Sequence, residues 1–187
     1  MYVKHKTDCA CGIDFDNRSL GYSKELIISG KYIIIHCVLG NIFDNHWILN
    51  EMHHRVDGPA IEYSNGTKFW FLNGEYHRVD GPAIKFANGN KIWYLNGNRH
   101  RADGPAVEWA DGDKSWYLNG KHHREDGPAV EWANGDKFWY LNDNLHRVDG
   151  PAIEYADGDK FWYLNGKQLS CKTQEEFEQY MRLKAFH

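Results

Sequence analysis

His54, Arg55 and Asp57 lie within four positions of one another in the heptad HRVDGPA (54–60). A histidine, a guanidinium and a carboxylate so close together could serve as a base, an anion clamp and a general acid or orienting group. The same trio returns as His77, Arg78 and Asp80, as His100, Arg101 and Asp103, as His123, Arg124 and Asp126, and as His146, Arg147 and Asp149, always 23 residues further on. An enzyme assembles one site from unlike parts, whereas here identical parts recur with no unique nucleophile or base beside them. The trio is therefore expected to be structural, and no catalytic activity is expected. Aspartate in Asp-Gly-Pro is suited to capping backbone N–H groups at a turn. Arginine can bridge to an acidic residue of its own or the adjacent unit, and histidine can pack or hydrogen-bond at an edge.

Metal chemistry has weaker starting points. Cys9-Ala-Cys11 with His36-Cys37 supplies zinc-ligand types, but Cys-x-Cys departs from the usual Cys-x₂₋₄-Cys spacing. Asp111-Gly-Asp113 and Asp157-Gly-Asp159 evoke a calcium loop, yet the remaining ligand positions are missing, which leaves them as hairpin turns. Neither a metal nor a cofactor is expected.

Beyond the heptad, Trp70, Trp93, Trp116, Trp139 and Trp162 share one column, and Trp47 extends it backwards into an incomplete leading repeat. Each unit reads as a β-hairpin. In the first, PAIEY (59–63) and KFWFLN (68–73) flank Asn65-Gly66. Asn-Gly and Asp-Gly favour the two-residue type I′ turn, in which both residues take positive φ. A second connection, with its own Gly and the Asp-Gly-Pro corner, returns the chain to the next hairpin. Two strands per unit advance a sheet by about 10 Å.

This unit resembles the MORN repeat: a 23-residue period, an aromatic residue, Asn-Gly, a Gly-centred turn and an NG or DG hairpin. The resemblance covers residues 47–166, about two-thirds of the chain. HRxDGPA stands where the common MORN unit has Gly-x-Gly, a variant similar to MORN-like proteins of bacteriophages and large DNA viruses. The resemblance implies an all-β, elongated, twisted, single antiparallel sheet used for binding or scaffolding, and it does not imply an enzyme. It also suggests a viral product acting on a host protein in the host cytoplasm.

Comparing the copies separates fixed from variable columns. Two-residue turns would place Ile61, Tyr63, Lys68, Trp70 and Leu72 on one apolar face, with Ala60, Glu62, Phe69 and Phe71 on a mixed face. Lys68, Lys91, Lys114, Lys137 and Lys160 form a ladder beside Glu62, Glu108, Glu131 and Glu154, which favours paired, solvated charges over a phosphate-tracking strip. Variation concentrates in the second connection, at Tyr76, Arg99, His122 and Leu145, and in the column of Phe69, Ile92, Ser115, Phe138 and Phe161. Loop residues that differ between otherwise matching units are expected partner contacts.

A formal net charge of −4, from 22 basic and 26 acidic residues, speaks against a broad nucleic-acid or anionic-lipid surface. No run approaches the roughly 18 apolar residues of a membrane span. The N-terminus lacks the apolar stretch of a secretory signal, so a cytoplasmic protein is expected. Three regions follow: a non-repeating β cap (1–46), the repeat array (47–170) and a C-terminal capping helix (171–187). In the cap, KELIISGKYIIIHCVL (24–39) reads as two strands that could cover the first edge of the array. In the tail, Thr173 and Glu176 form a capping box ahead of Phe177, Tyr180, Met181 and Lys184 at helical spacing. The expected function is a non-enzymatic protein-interaction module. Alternatives are sequestration of a nucleotide-like ligand in an aromatic and basic groove, and a lipid-associated scaffold.

Overall fold

Turn geometry decides which side chains share a face. In the computed structural model, which describes residues 22–29, 32–39 and 42–185, with side chains from Asp44 onward, the Asn65-Gly66 turn is not type I′. Tyr63 N–H donates to the Thr67 carbonyl at 2.9 Å, and Gly66 N–H donates to the Tyr63 carbonyl at 2.9 Å. Within this loop only Gly66 takes positive φ, at 90°. That is a three-residue loop, a type I turn closed by a left-handed glycine bulge. The same bonds recur at Phe86–Asn90, Trp109–Asp113, Trp132–Asp136 and Tyr155–Asp159.

The extra residue shifts the pairing by one position, so that Ile61 faces Phe69 and Glu62 faces Lys68. A one-residue shift exchanges the faces of a strand. The expected faces are thereby corrected. Ile61, Tyr63, Phe69 and Phe71 share one aromatic-aliphatic face, whereas Glu62, Lys68 and Trp70 lie on the other.

Type I′ geometry appears instead in the second connection. Asn73 and Gly74 take φ of 51° and 81° and join the short strands Phe71–Leu72 and Glu75–Tyr76. Each later unit repeats this minor hairpin as a separate two-stranded sheet. In the fourth unit Asp143 fills the second turn position at φ 65°, where the other units have glycine.

The major hairpins form one continuous sheet. Strands β1 (Tyr22–Ser29), β2 (Tyr32–Leu39) and β3 (Ile42–Leu49) form an antiparallel meander. β3 then pairs with the first repeat through His46↔Ile61 and Asn45↔Glu62. β3, rather than the two strands within 24–39, thus lies along the first edge of the array, and β1 and β2 extend the sheet beyond it. With the short strand β4 (Met52–His53) paired to β3 and two strands from every repeat, the sheet holds 14 strands. Adjacent turns are tied together by side chains. Thr67, Asn90, Asp113 and Asp136 accept the backbone N–H of Ala87, Ala110, Ala133 and Ala156 at 2.7–3.1 Å. The two Asp-Gly-Asp segments are therefore hairpin turns.

The fixed alanines Ala60, Ala83, Ala106, Ala129 and Ala152 are fully enclosed at 0% exposure, which explains why each unit keeps this small residue. Beside them Ile61, Ile84, Val107, Val130 and Ile153 form a buried row. At the far end, helix α1 (Gln174–Lys184) begins at Thr173, whose hydroxyl accepts Glu176 N–H at 3.3 Å. Glu176 returns its bond to Lys172 N–H rather than to the cap residue. Phe177 is the buried residue of α1, whereas Tyr180 is 39% exposed, a narrower apolar stripe than the spacing implied. Gln174 reaches the Asp149 carbonyl, so the helix lies against the last corner, and Trp162 there is buried. Among the described residues no helix is long and apolar enough to cross a membrane.

Candidate functional site

The recurring trio is an architectural joint. His54 Nδ1 lies 2.8 Å from the side-chain oxygen and 3.1 Å from the backbone nitrogen of Asn73, pinning the left-handed residue of the type I′ turn. The same link joins His77 to Asn96, His100 to Asn119, His123 to Asn142 and His146 to Asn165. Arg55 donates to Asp57 at 3.1 Å and to the Pro59 carbonyl at 3.2 Å. Its guanidinium lies 4.0 Å from the ring centre of Trp47, one unit back. Arg78, Arg101, Arg124 and Arg147 cover Trp70, Trp93, Trp116 and Trp139 in the same way. The arginine hydrogen bonds hold Asp57, Asp80, Asp103 and Asp126 below the usual carboxylate range. These are exposed carboxylates in ion pairs with the arginine of their own corner.

The variable residues of the second connection are half-buried and interleaved with a fixed aromatic column. Tyr76 lies between Phe71 at 4.3 Å and Tyr94 at 5.1 Å. Arg99 donates to the hydroxyls of Tyr94 and Tyr117. His122 lies between Tyr117 at 4.2 Å and Tyr140 at 5.2 Å, with its pKa lowered by burial against an opposing hydrogen bond to Asp143. Leu145 lies across from Tyr140 and packs, like Tyr140 and Tyr163, against the core of Val130, Phe138 and Ile153. The stack is continuous, so these side chains present edges to solvent rather than free faces.

A second aromatic row carries more open surface. Tyr63, Phe86, Trp109, Trp132 and Tyr155 stand beside the strand column of Phe69, Ile92, Ser115, Phe138 and Phe161. Where that column holds phenylalanine the rings interlock. Tyr63, Phe69 and Phe86 meet edge-on at 5.8 and 5.9 Å, and Trp132, Phe138, Tyr155 and Phe161 continue at 4.9–6.0 Å. Between them the column holds Ile92 and then Ser115, and among the described residues no ring contact joins Phe86 to Trp132. Ser115 lies directly across from Val107 and Val130. Flanking it, Trp109 is 41% and Trp132 46% exposed. Ser115 thus leaves a break in the ring row between two partly exposed indoles, beside valines that stay buried at 3% and 8% exposure. Sequence comparison had flagged the varying column but not these indoles, because an aromatic residue in every unit reads as core.

On the opposite face, a groove of about 680 Å³ runs between the first two corners, lined by Arg55, Pro59, Trp70, Leu72, Arg78 and Val79. Lys85 stands nearby in the column that holds glutamate in every other unit, a departure visible by comparing copies. Among the described residues no three potential metal ligands cluster. Cys9 and Cys11, and the side chains of His36 and Cys37, lie outside the described part. The chain matches no known family model and no curated protein sequence.

Proposed function

We propose that the chain is a non-enzymatic protein-interaction module whose aromatic face seats an apolar or aromatic side chain of a partner protein in the dent that the break in the ring row leaves over Ser115. The observation that carries this reading is the interruption of an interlocked ring row across two units, at Ile92 and then at Ser115, where serine replaces the phenylalanine or isoleucine of its neighbours. An incoming ring would fill the place of the missing phenylalanine between Trp109 and Trp132, covering their exposed surface as an anchor residue does at an interface. The stacked units hold the dent in place without cost at binding, because each is fixed by its neighbours. The likeness of the repeat to MORN-like units of bacteriophages and large DNA viruses supports a host protein as that partner.

A photo-crosslinking residue at position 115 tests the reading in cells. One discrete adduct, absent when the crosslinker sits at position 137 on the other face, is expected. The purified partner must then lose binding to the Trp109→Ala chain. Equal adducts from both faces contradict the proposal.

The groove between the first two corners favours a second reading, in which a nucleotide-like ligand lies along Trp70 with its phosphate toward Arg78. Arg78 already covers one face of that indole at 4.2 Å, leaving less ring to stack on. A thermal-shift panel of nucleotides and cyclic nucleotides separates the two readings, since a tight ligand raises the melting temperature.

A further inference from the structure

The charged face carries a ladder with one missing rung. Along the sheet, Glu108 lies opposite Lys91 and Lys114, Glu131 opposite Lys114 and Lys137, and Glu154 opposite Lys137 and Lys160. Each glutamate also serves the corner of its own unit. Arg101 Nη1 donates to Glu108 Oε1 at 2.8 Å, and Arg124 and Arg147 bind Glu131 and Glu154 at 3.0 and 2.8 Å. Glu108 closes a three-part clamp, because its other oxygen lies 3.6 Å from Lys91 Nζ.

In the second unit the glutamate is replaced by Lys85, which lies directly opposite both Lys68 and Lys91. Like charges facing across strands oppose the fold. Arg78 keeps its stack on Trp70 and its pair with Asp80, but its Nη1 makes only a 3.4 Å bond to the Pro82 carbonyl. Lys68 retains Glu62 at 3.4 Å, and Lys85 is exposed with no ion pair among the described residues. Every group of the clamp is therefore in place except the carboxylate.

We propose that this position receives the carboxylate of an acidic segment from a partner protein, taking the place that glutamate fills in the third, fourth and fifth units. One oxygen would meet Arg78 Nη1 and the other Lys68 Nζ, with Lys85 and Lys91 supplying further positive potential. The neighbouring groove beside Pro59, Trp70, Leu72 and Val79 accommodates an apolar residue next to the acid, and its two carboxylates, Asp57 and Asp80, are paired with Arg55 and Arg78. The carboxylate is the group that completes the third unit, where Glu108 meets Arg101 through one oxygen and Lys91 through the other. The inference extends the protein-binding reading to the face opposite Ser115, and it stands or falls separately from that dent.

The test is a titration of the ¹⁵N-labelled full chain with an acetylated tetraglutamate peptide at low salt, reading the Arg78 side-chain N–H and the amides of residues 84–86. Saturable shifts confined to that unit are expected, weakening as salt is raised. Lys85→Glu supplies the missing rung from within. It should reduce peptide affinity about tenfold or more and raise the melting temperature, whereas Ser115→Phe should leave the titration unchanged. Shifts of equal size at Arg101, Arg124 and Arg147, unchanged affinity in Lys85→Glu, or a lowered melting temperature in that variant would each overturn the proposal. Tighter binding of inorganic phosphate or ATP at the same resonances would overturn the carboxylate assignment.

Discussion

Arg124 Nη1 lies 3.0 Å from Glu131 Oε1 while its guanidinium covers the Trp116 ring at 4.1 Å. One side chain thus ties the corner of its own unit to the indole of the unit before. Arg78 covers Trp70 in the same way but has no glutamate to bind. The contrast makes the arginine ladder testable within one chain. Arg124→Ala should cost about 1–3 kcal/mol in chemical denaturation, from the lost stack and the half-buried carboxylate bond. Arg78→Ala should cost less. Lysine at position 124 should recover little, because an ammonium can neither stack flat nor bond in a fork. The exposed Asp126 partner adds little in either case.

Asp143 stands in a left-handed conformation, at φ 65°, where the other four complete units have glycine and the leading hairpin has Glu51 at φ 64°. The Asp143 carboxylate accepts His122 N–H at 2.8 Å, a bond that glycine cannot make. Strain and hydrogen bond oppose each other, each of order 1–2 kcal/mol. Asp143→Gly should therefore be nearly neutral. Asp143→Ala keeps the strain and loses the bond, so it should unfold about 1–2 kcal/mol more easily. Equilibrium denaturation of the two variants side by side checks the order.

His46 is 5% exposed. Its Nδ1 lies 3.2 Å from His53 Nε2. Burial, reinforced by His53, lowers its pKa from 6.5 to about 4. A histidine depressed in the folded state binds its proton more readily when unfolded, so stability should fall as pH drops from about 6.5 towards 4. The loss should be of order 2–3 kcal/mol. His53 and His122, also lowered by burial, act in the same direction. Denaturation midpoints at pH 7, 5.5 and 4.5 should show this slope, flattened in His46→Phe, which keeps ring contacts with Tyr63 and His53.

Phe177, 1% exposed, is the buried residue of helix α1. Phe177→Ala should cost about 3–5 kcal/mol locally. Because neighbouring units are coupled mainly to each other, hydrogen exchange should rise in α1 and the last hairpin while residues 60–110 stay protected. A uniform rise along the chain would contradict nearest-neighbour coupling.

The period and the strand positions were legible because each depends on local spacing alone, whereas the faces, including the one on which the Trp column lies, were not. Asn65-Gly66 satisfies two turn types that differ by one residue, and only the hydrogen bond from Tyr63 N–H to the Thr67 carbonyl shows which is formed. That residue reverses whether Lys68 lies with Ile61 or with Glu62. The variable residues Tyr76, Arg99 and His122 were visible as departures, but their interleaving with Tyr94, Tyr117 and Tyr140 depends on contacts between units. Ser115 and Lys85 are legible as breaks in columns. Their consequences, an open dent and an empty clamp, required the register.

The central claim concerns the dent over Ser115, and its most direct measurement is the affinity of the purified crosslinked partner for the Ser115→Phe chain. Phenylalanine restores the interlocked ring row as in the neighbouring unit, so the melting temperature should hold or rise. Binding should weaken by about 2 kcal/mol or more, the loss expected of a filled anchor pocket. Wild-type affinity in a folded Ser115→Phe chain would contradict the account.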